Sequence, residues 1–219
     1  MNPLRHTFLQ RCRASAPPIT PPRKLKYLDI GCGGGIFAES AARLRDTESV
    51  TAIDPTTDVI AVARKHQRTD PLLLEPGRLT YVNSAIEDLA KPATPDQGVD
   101  VLSLFEVIEH IQRPTPFLAQ CLPHVRPGGW LVLSTMSRTW TSWLTTLVAA
   151  EDILGVVPRG THDWNQYINV DEIKAWAAKQ QGWSYATSMG VVYIPGVGWK
   201  EVKGSESWGN YFFAIRKDD

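Results

Sequence analysis

Three residues in this 219-residue sequence stand out for the chemistry they could do. Glu106, Glu109 and His110 lie inside the otherwise apolar run LFEVIEHI, residues 104–111. Charge is costly to bury without partners, so two carboxylates and an imidazole in such a run need a partner or a task. Their spacing is i, i+3, i+4, which puts all three on one face if the chain turns helically there. Three chemistries fit the residue types. The cluster can cap and salt-bridge a loop. It can do general base work, with His110 taking a proton from a phenol. Or two carboxylate oxygens and one imidazole nitrogen can hold a divalent ion. Oxygen-rich ligation favours Mg²⁺ or Mn²⁺, and the histidine leaves Zn²⁺ or Fe²⁺ open.

A second constellation precedes it. Gly31, Gly33 and Gly35 form GxGxG in the phrase LDIGCGGG, between a strand-like and a helix-like segment. Glycine suits a tight turn where backbone approaches a ligand, and the following helix offers free N–H groups to a polar ligand. The strict dinucleotide fingerprint fails, because its third glycine would fall at Ile36. Asp54 ends the next strand, where an acid can accept both hydroxyls of a ribose. With Asp29 ahead of the loop, the pair points to a nucleoside-type ligand. The structural alternative is a tight turn with Asp54 as a helix cap.

The elements that must position these residues alternate. KLKYLDI (24–30), SVTAID (49–54), RLTYVN, VDVLSLF (99–105) and PGGWLVLST read as strands. The fourth is apolar enough for a strand buried on both faces. Helical segments lie between them: IFAESAARL, TDVIAVARKHQ and PTPFLAQCLPHV. This rhythm predicts a doubly wound α/β sheet. Later, residues 140–157 read as an amphipathic helix. NVDEIKAWAAKQQG reads as another, with Asn169 and Glu172 in capping-box spacing and Gly182 as its stop. WGNYFFAIRK closes the chain as a strand.

Composition narrows the classes. Hydrophobic residues make up 43%, enough for a real core in one domain, 1–219. The formal net charge of +0 gives no pull toward nucleic acid. Cys12, Cys32 and Cys121 form no pairing framework, which fits a reducing compartment. No apolar run approaches the roughly 20 residues of a spanning helix. Residues 1–24 form a basic, Pro-rich arm, acid-free up to Asp29. Such an arm fits a remnant of a mitochondrial targeting segment, or a solvated lead into the first strand. All eight tryptophans fall at Trp130 or later.

The phrases YLDIGCGGG, TAIDPT, SAIEDL, DVLSLFEVIEHI and LPHVRPGGWLVLST resemble the class I S-adenosylmethionine (SAM) methyltransferases. The resemblance implies a Rossmann-like, doubly wound, mostly parallel seven-stranded sheet. It implies a SAM site lined by Gly31, Gly33, Asp54 and Ile86, with Phe105 reaching it from the fourth strand. It also makes strands one and four neighbours, so that Glu106 faces the glycine loop. EVIEH, STMSRTWTSWL, AAEDILGVVPRGTHDW and NYFFAIRK are similar, more narrowly, to the ubiquinone-biosynthesis O-methyltransferases. That likeness runs from Asn2-Pro3-Leu4-Arg5 nearly to the C-terminus. It implies methylation of catechol-type hydroxyls on polyprenylated benzoate and quinol intermediates. It implies a divalent metal, magnesium first, at Glu106, Glu109 and His110. A metal bound by both catechol oxygens would lower the phenol pKa and orient the acceptor. The family also carries an aromatic-rich helix and a SAM-contacting arginine ahead of the Asn-Pro-Leu-Arg phrase, whereas this sequence starts at Met1.

The same resemblance implies a membrane-lipid acceptor, other ubiquinone-biosynthesis proteins as partners, and a peripheral place on the matrix side of the mitochondrial inner membrane. Trp143, Leu147, Ala150 and Leu154 share one helical stripe, suited to lie in a membrane interface or to close over the sheet as a lid. Residues 136–170 and 190–208 read as substrate- or membrane-facing insertions, the second as a Gly-rich loop over the acceptor pocket. His162, with Asp163 in GTHDW, is a further catalytic candidate, to hold or deprotonate the acceptor; the alternative is a loop stapled by side-chain hydrogen bonds. Two rival functions remain: a metal-free methyltransferase of another small phenol, and a catalytically silent SAM-fold scaffold.

Overall fold

A computed structural model describes residues 1–19, 21–138 and 167–219. Strands β1 (Leu25–Ile30), β2 (Thr47–Asp54), β3 (Leu79–Asn83), β4 (Val99–Phe105) and β5 (Val125–Met136) pair in parallel. Three more strands, β6 (Trp183–Ile194), β7 (Gly198–Glu201) and β8 (Asn210–Lys217), complete the sheet by antiparallel pairing. The order is β3-β2-β1-β4-β5-β8-β6-β7. Strand order reverses between β1 and β4, and an open α/β sheet binds its ligand beyond the strands' carboxyl ends at such a switch.

Alternation along the strands builds two cores. Tyr27, Val101, Phe105, Val132, Phe212 and Ala214 face helices α1 (Asn2–Ala14), α2 (Ile36–Ala42) and α3 (Thr57–Gln67). Leu28, Leu102, Leu104, Leu131, Leu133 and Phe213 face α4 (Pro114–Cys121) and α5 (Val170–Ala177). Both faces of β4 are therefore covered, which is why that strand is a near-continuous apolar run.

Three features differ from the sequence reading. The sheet has eight strands among the described residues where seven are expected. The extra strand arises because residues 190–208, read as a loop, hold the end of β6 and all of β7, paired as a hairpin from Val191↔Glu201 to Ile194↔Gly198. The basic arm is more than a solvated lead into β1: Asn2–Ala14 is helical and buries Phe8, Leu9 and Cys12. Pro3 sits in its first turn, where a missing N–H is harmless, and Arg11 and Arg13 in its last turn suit the helix dipole. Phe8 stacks on Phe212 at 5.6 Å between ring centroids, which pins α1 to β8. The expected capping box at Asn169 and Glu172 is present, although α5 ends at Ala177, ahead of Gly182.

Candidate functional site

The glycine loop leaves β1 and enters α2 in three left-handed steps, with φ of 66° at Gly31, 52° at Gly33 and 86° at Gly35. At Gly31 a Cβ would come within 2.6 Å of Val107 Cγ2, and at Gly35 the Tyr81 hydroxyl fills the space a Cβ would take. A side chain at either position would therefore meet both backbone strain and a clash.

Asp54 ties this loop to the end of β2. Its Oδ2 accepts a hydrogen bond from the Gly33 N–H (3.0 Å) and its Oδ1 one from the Thr56 N–H (2.9 Å). Two of about four lone-pair positions are thus used, leaving capacity for hydroxyl donors. Gly31, Gly33 and Asp54 are brought together as expected. Ile86 sits buried in a short 3-10 turn after β3, in the core on the α4 side. Phe105 ends β4 on the opposite side of the sheet, edge-on to Phe37 at 4.6 Å and to Phe212 at 6.1 Å.

A residue that sequence reasoning missed enters from α1. The Arg5 guanidinium lies 4.8 Å above the centre of the Phe105 ring, and its Nη2 is 3.4 Å from Glu106 Oε1. A cation over an aromatic face is attracted by the ring quadrupole. Arg5 Nε is buried and, among the described residues, has no hydrogen-bond partner. The signal was present in the sequence: Leu4, Phe8 and Cys12 at spacing i, i+4, i+8 mark a buried helical stripe. Its first turn then carries Arg5 to the sheet's carboxyl edge.

Two buried acids lie close by. Asp29 accepts a hydrogen bond from the Ser103 hydroxyl at 2.5 Å. Burial pushes its pKa up to about 7, against the opposing pull of Ser103 and the Arg5 charge. Glu109 accepts from the Thr135 hydroxyl at 3.1 Å. Burial likewise pushes it up to about 7, opposed by hydrogen bonds from its own backbone and from Thr135.

The turn after β4 does not assemble the expected metal site among the described residues. Glu106 has φ of 60°, the one non-glycine residue in the left-handed region among the described residues. Its N–H is shared between the carbonyl and the hydroxyl of Ser134 on β5 (3.0 and 3.1 Å). Such an outlier costs on the order of 1 kcal/mol and persists only where its surroundings over-determine it. The chain then runs through a 3-10 turn, Ile108–His110, not an α-turn. Glu106 lies outside that turn with a left-handed backbone, so the one-face argument, which needs one continuous helical turn through Glu106, Glu109 and His110, does not hold. Glu109 turns inward to Thr135, Glu106 lies exposed against Arg5, and His110 is exposed. No group of three or more His, Cys, Asp or Glu side chains among the described residues is arranged to hold a metal ion. As placed, these donors do not fit the expected divalent ion. His162, Asp163 and the Trp143–Leu154 stripe lie outside the described residues.

Known proteins resemble this chain in sequence and in fold. The family described as "Methyltransferase domain" matches residues 3–187. The Candida albicans protein named ubiquinone biosynthesis O-methyltransferase, mitochondrial, is 42% identical over 88% of this chain and 58% of its own length. The chain thus spans under two-thirds of that relative. The Bradyrhizobium protein named ubiquinone biosynthesis O-methyltransferase is 32% identical over 89% of this chain and 74% of its own length. Among solved structures, the plantazolicin methyltransferase BpumL, in complex with a desmethylPZN analog and SAH, superposes with a TM-score of 0.69. That alignment covers 98% of this chain and 83% of BpumL at 15% identity, a likeness of fold alone.

Proposed function

This chain belongs to the ubiquinone-biosynthesis O-methyltransferases, and from that membership we propose that it methylates a catechol-type hydroxyl of a polyprenylated benzoate or quinol with SAM as donor. The observation that carries this reading is the loop stitched by Asp54 to Gly33 at the β1/β4 switch, the place where an open α/β sheet binds its ligand.

SAM, when bound, supplies a methyl group on a sulfonium for in-line displacement by the acceptor oxygen. The protein's part is alignment and proton removal. Asp54 keeps lone pairs for the ribose hydroxyls, and the glycine loop leaves room for backbone to approach the donor. Arg5 brings a cation to the same edge, suited to the donor's carboxylate. Phe105 and Ile86 supply apolar walls. A phenol loses its proton only well above neutral pH, as Tyr does near 10, so a base must take it. His110, exposed on the turn beside Glu106, is that base. No step is routed through a metal, because Glu106, Glu109 and His110 do not converge.

The acceptor is a membrane lipid on this reading, and the chain works peripherally on the matrix side of the mitochondrial inner membrane, beside other proteins of the pathway. Among the described residues, no helix is long and apolar enough to cross a membrane. Transfer of labelled methyl from SAM to a prenylated catechol tests the reaction. His110→Gln is expected to lower kcat about a hundredfold with the SAM dissociation constant unchanged. No transfer by the unaltered protein overturns the function. An unchanged rate in His110→Gln overturns the base.

A further inference from the structure

The β6–β7 hairpin carries an apolar tip that neither the SAM site nor the proton-transfer step uses. Val191 of β6 pairs with Asn210, which itself faces Met136, the last residue of β5. Val192, Tyr193 and Ile194 continue past that level, so the hairpin stands about 10 Å beyond the sheet's carboxyl edge at about 3.3 Å per residue. Gly31, Glu106 and His110 lie at the same edge. The tip exposes Tyr193 (56%), Ile194 (39%) and Val197 (61%), and Trp208, just before β8, is 55% exposed.

Large apolar side chains gathered at one protruding tip mark an interaction site. This one is held firmly. Trp199 packs on the core beneath and stands 5.5 Å from Tyr193. Arg11 of α1 bonds Glu201 at 2.6 Å. Ser137 donates its N–H to Gly209 (2.8 Å) and its hydroxyl to Glu206 (2.6 Å). The hairpin is therefore anchored at its base and presents its apolar tip outward.

We propose that this hairpin tip is a membrane-docking element that dips into the headgroup–acyl boundary and sets the mouth of the site against the bilayer holding the acceptor's tail. The proposal rests on the lipid-tailed acceptor proposed above. Its reach matches the roughly 5–10 Å burial of interfacial elements. Tyr and Trp suit that boundary, with an apolar body and a polar end. Lys200 and Lys203 are exposed at the base of the hairpin, while Arg11 neutralises the neighbouring Glu201. That leaves cations for anionic headgroups. A second protein copy fits less well: a few half-exposed side chains fall far short of the roughly 800 Å² per partner of a stable interface.

The test is flotation of the full chain with vesicles of phosphatidylcholine, phosphatidylethanolamine and cardiolipin, alongside methylation of a short-tailed, water-soluble catechol. The unaltered protein is expected to float. Ile194→Glu/Val197→Glu should lose about tenfold or more in vesicle binding, with its melting temperature and its rate on the soluble catechol unchanged. If the double variant loses its melting transition, Val197→Asp alone serves, with the same expectation. An unaltered protein that stays with the aqueous fraction overturns the proposal. So does a variant that floats as well as its parent, or a tip change that dissociates a dimer with no vesicle binding. Flotation without methylation of any catechol counts against the proposed reaction and not against the docking surface.

Discussion

Buried carboxylates sit at both ends of the parallel strands, and the two ends treat them differently. At the amino end of β4, Asp100 is saturated with partners. Arg23 holds it through both guanidinium nitrogens, the Lys26 N–H donates to it at 2.8 Å, and Arg126 Nε stands 4.0 Å away. At the carboxyl end, Asp29 has one hydroxyl partner, Glu109 has a hydroxyl and its own backbone, and the two share the nearby charge of Arg5. A buried acid surrounded by cations holds loops together. A buried acid with no cation bonded to it is pushed toward its neutral form and is left with chemistry to do. The amino end is built as a joint and the carboxyl end as a site.

Removing the charge at the joint should produce the largest effect. Asp100→Asn leaves Arg23 facing a neutral amide, and breaking such a pair is expected to cost about 3 kcal/mol. Denaturant melts should show that loss while calorimetry finds SAM binding unaltered. A parallel loss of SAM affinity would erase the distinction between the two ends.

Asp29 sharpens the comparison through pH. Its folded pKa of about 7 lies above its ordinary 3.8, so the folded protein keeps a proton that the unfolded chain releases earlier. The associated stability is fully present below about pH 4 and is lost as pH rises toward 7. Asp29→Asn should therefore be more stable than its parent at pH 8, by on the order of 2 kcal/mol, with little gain at pH 4. Glu109 acts in the same sense, so the fall in melting temperature from pH 5 to 8 should shrink in the variant without vanishing. A variant that falls as steeply as its parent would show that Asp29 is ionised throughout.

The smallest effect is expected at Arg5, which serves the site without belonging to the sheet. Arg5→Met should weaken SAM binding about tenfold, the scale of one charge-assisted contact, with little change in melting temperature. Undiminished SAM affinity would confine Arg5 to pairing with Glu106.

Much of the scaffold was legible beforehand. β1, β2 and β4 are buried strands whose apolar runs are bounded by turn residues, so local pattern and final environment agree. The glycine loop and Asp54 were legible for the same reason: only glycine tolerates the left-handed steps at Gly31 and Gly35. The hairpin at β6 and β7 was hidden. Its glycines, Gly190, Gly196 and Gly198, read as a loop, and strand pairing depends on a partner distant in sequence. Helix α1 was hidden behind the prolines that follow it, although its buried stripe was there to be counted.

The local pattern of residues by itself determined the α/β rhythm, the glycine turn and the acid that closes it, because each is fixed by backbone sterics and nearest neighbours. Only the tertiary structure decided what the two glutamates and the histidine do. Ser134 and Thr135 come from β5, and Arg5 comes from α1, about a hundred residues earlier in the chain. Together they bend Glu106 into a left-handed step and draw Glu109 inward, and no spacing along the chain encodes forces that arrive from another strand.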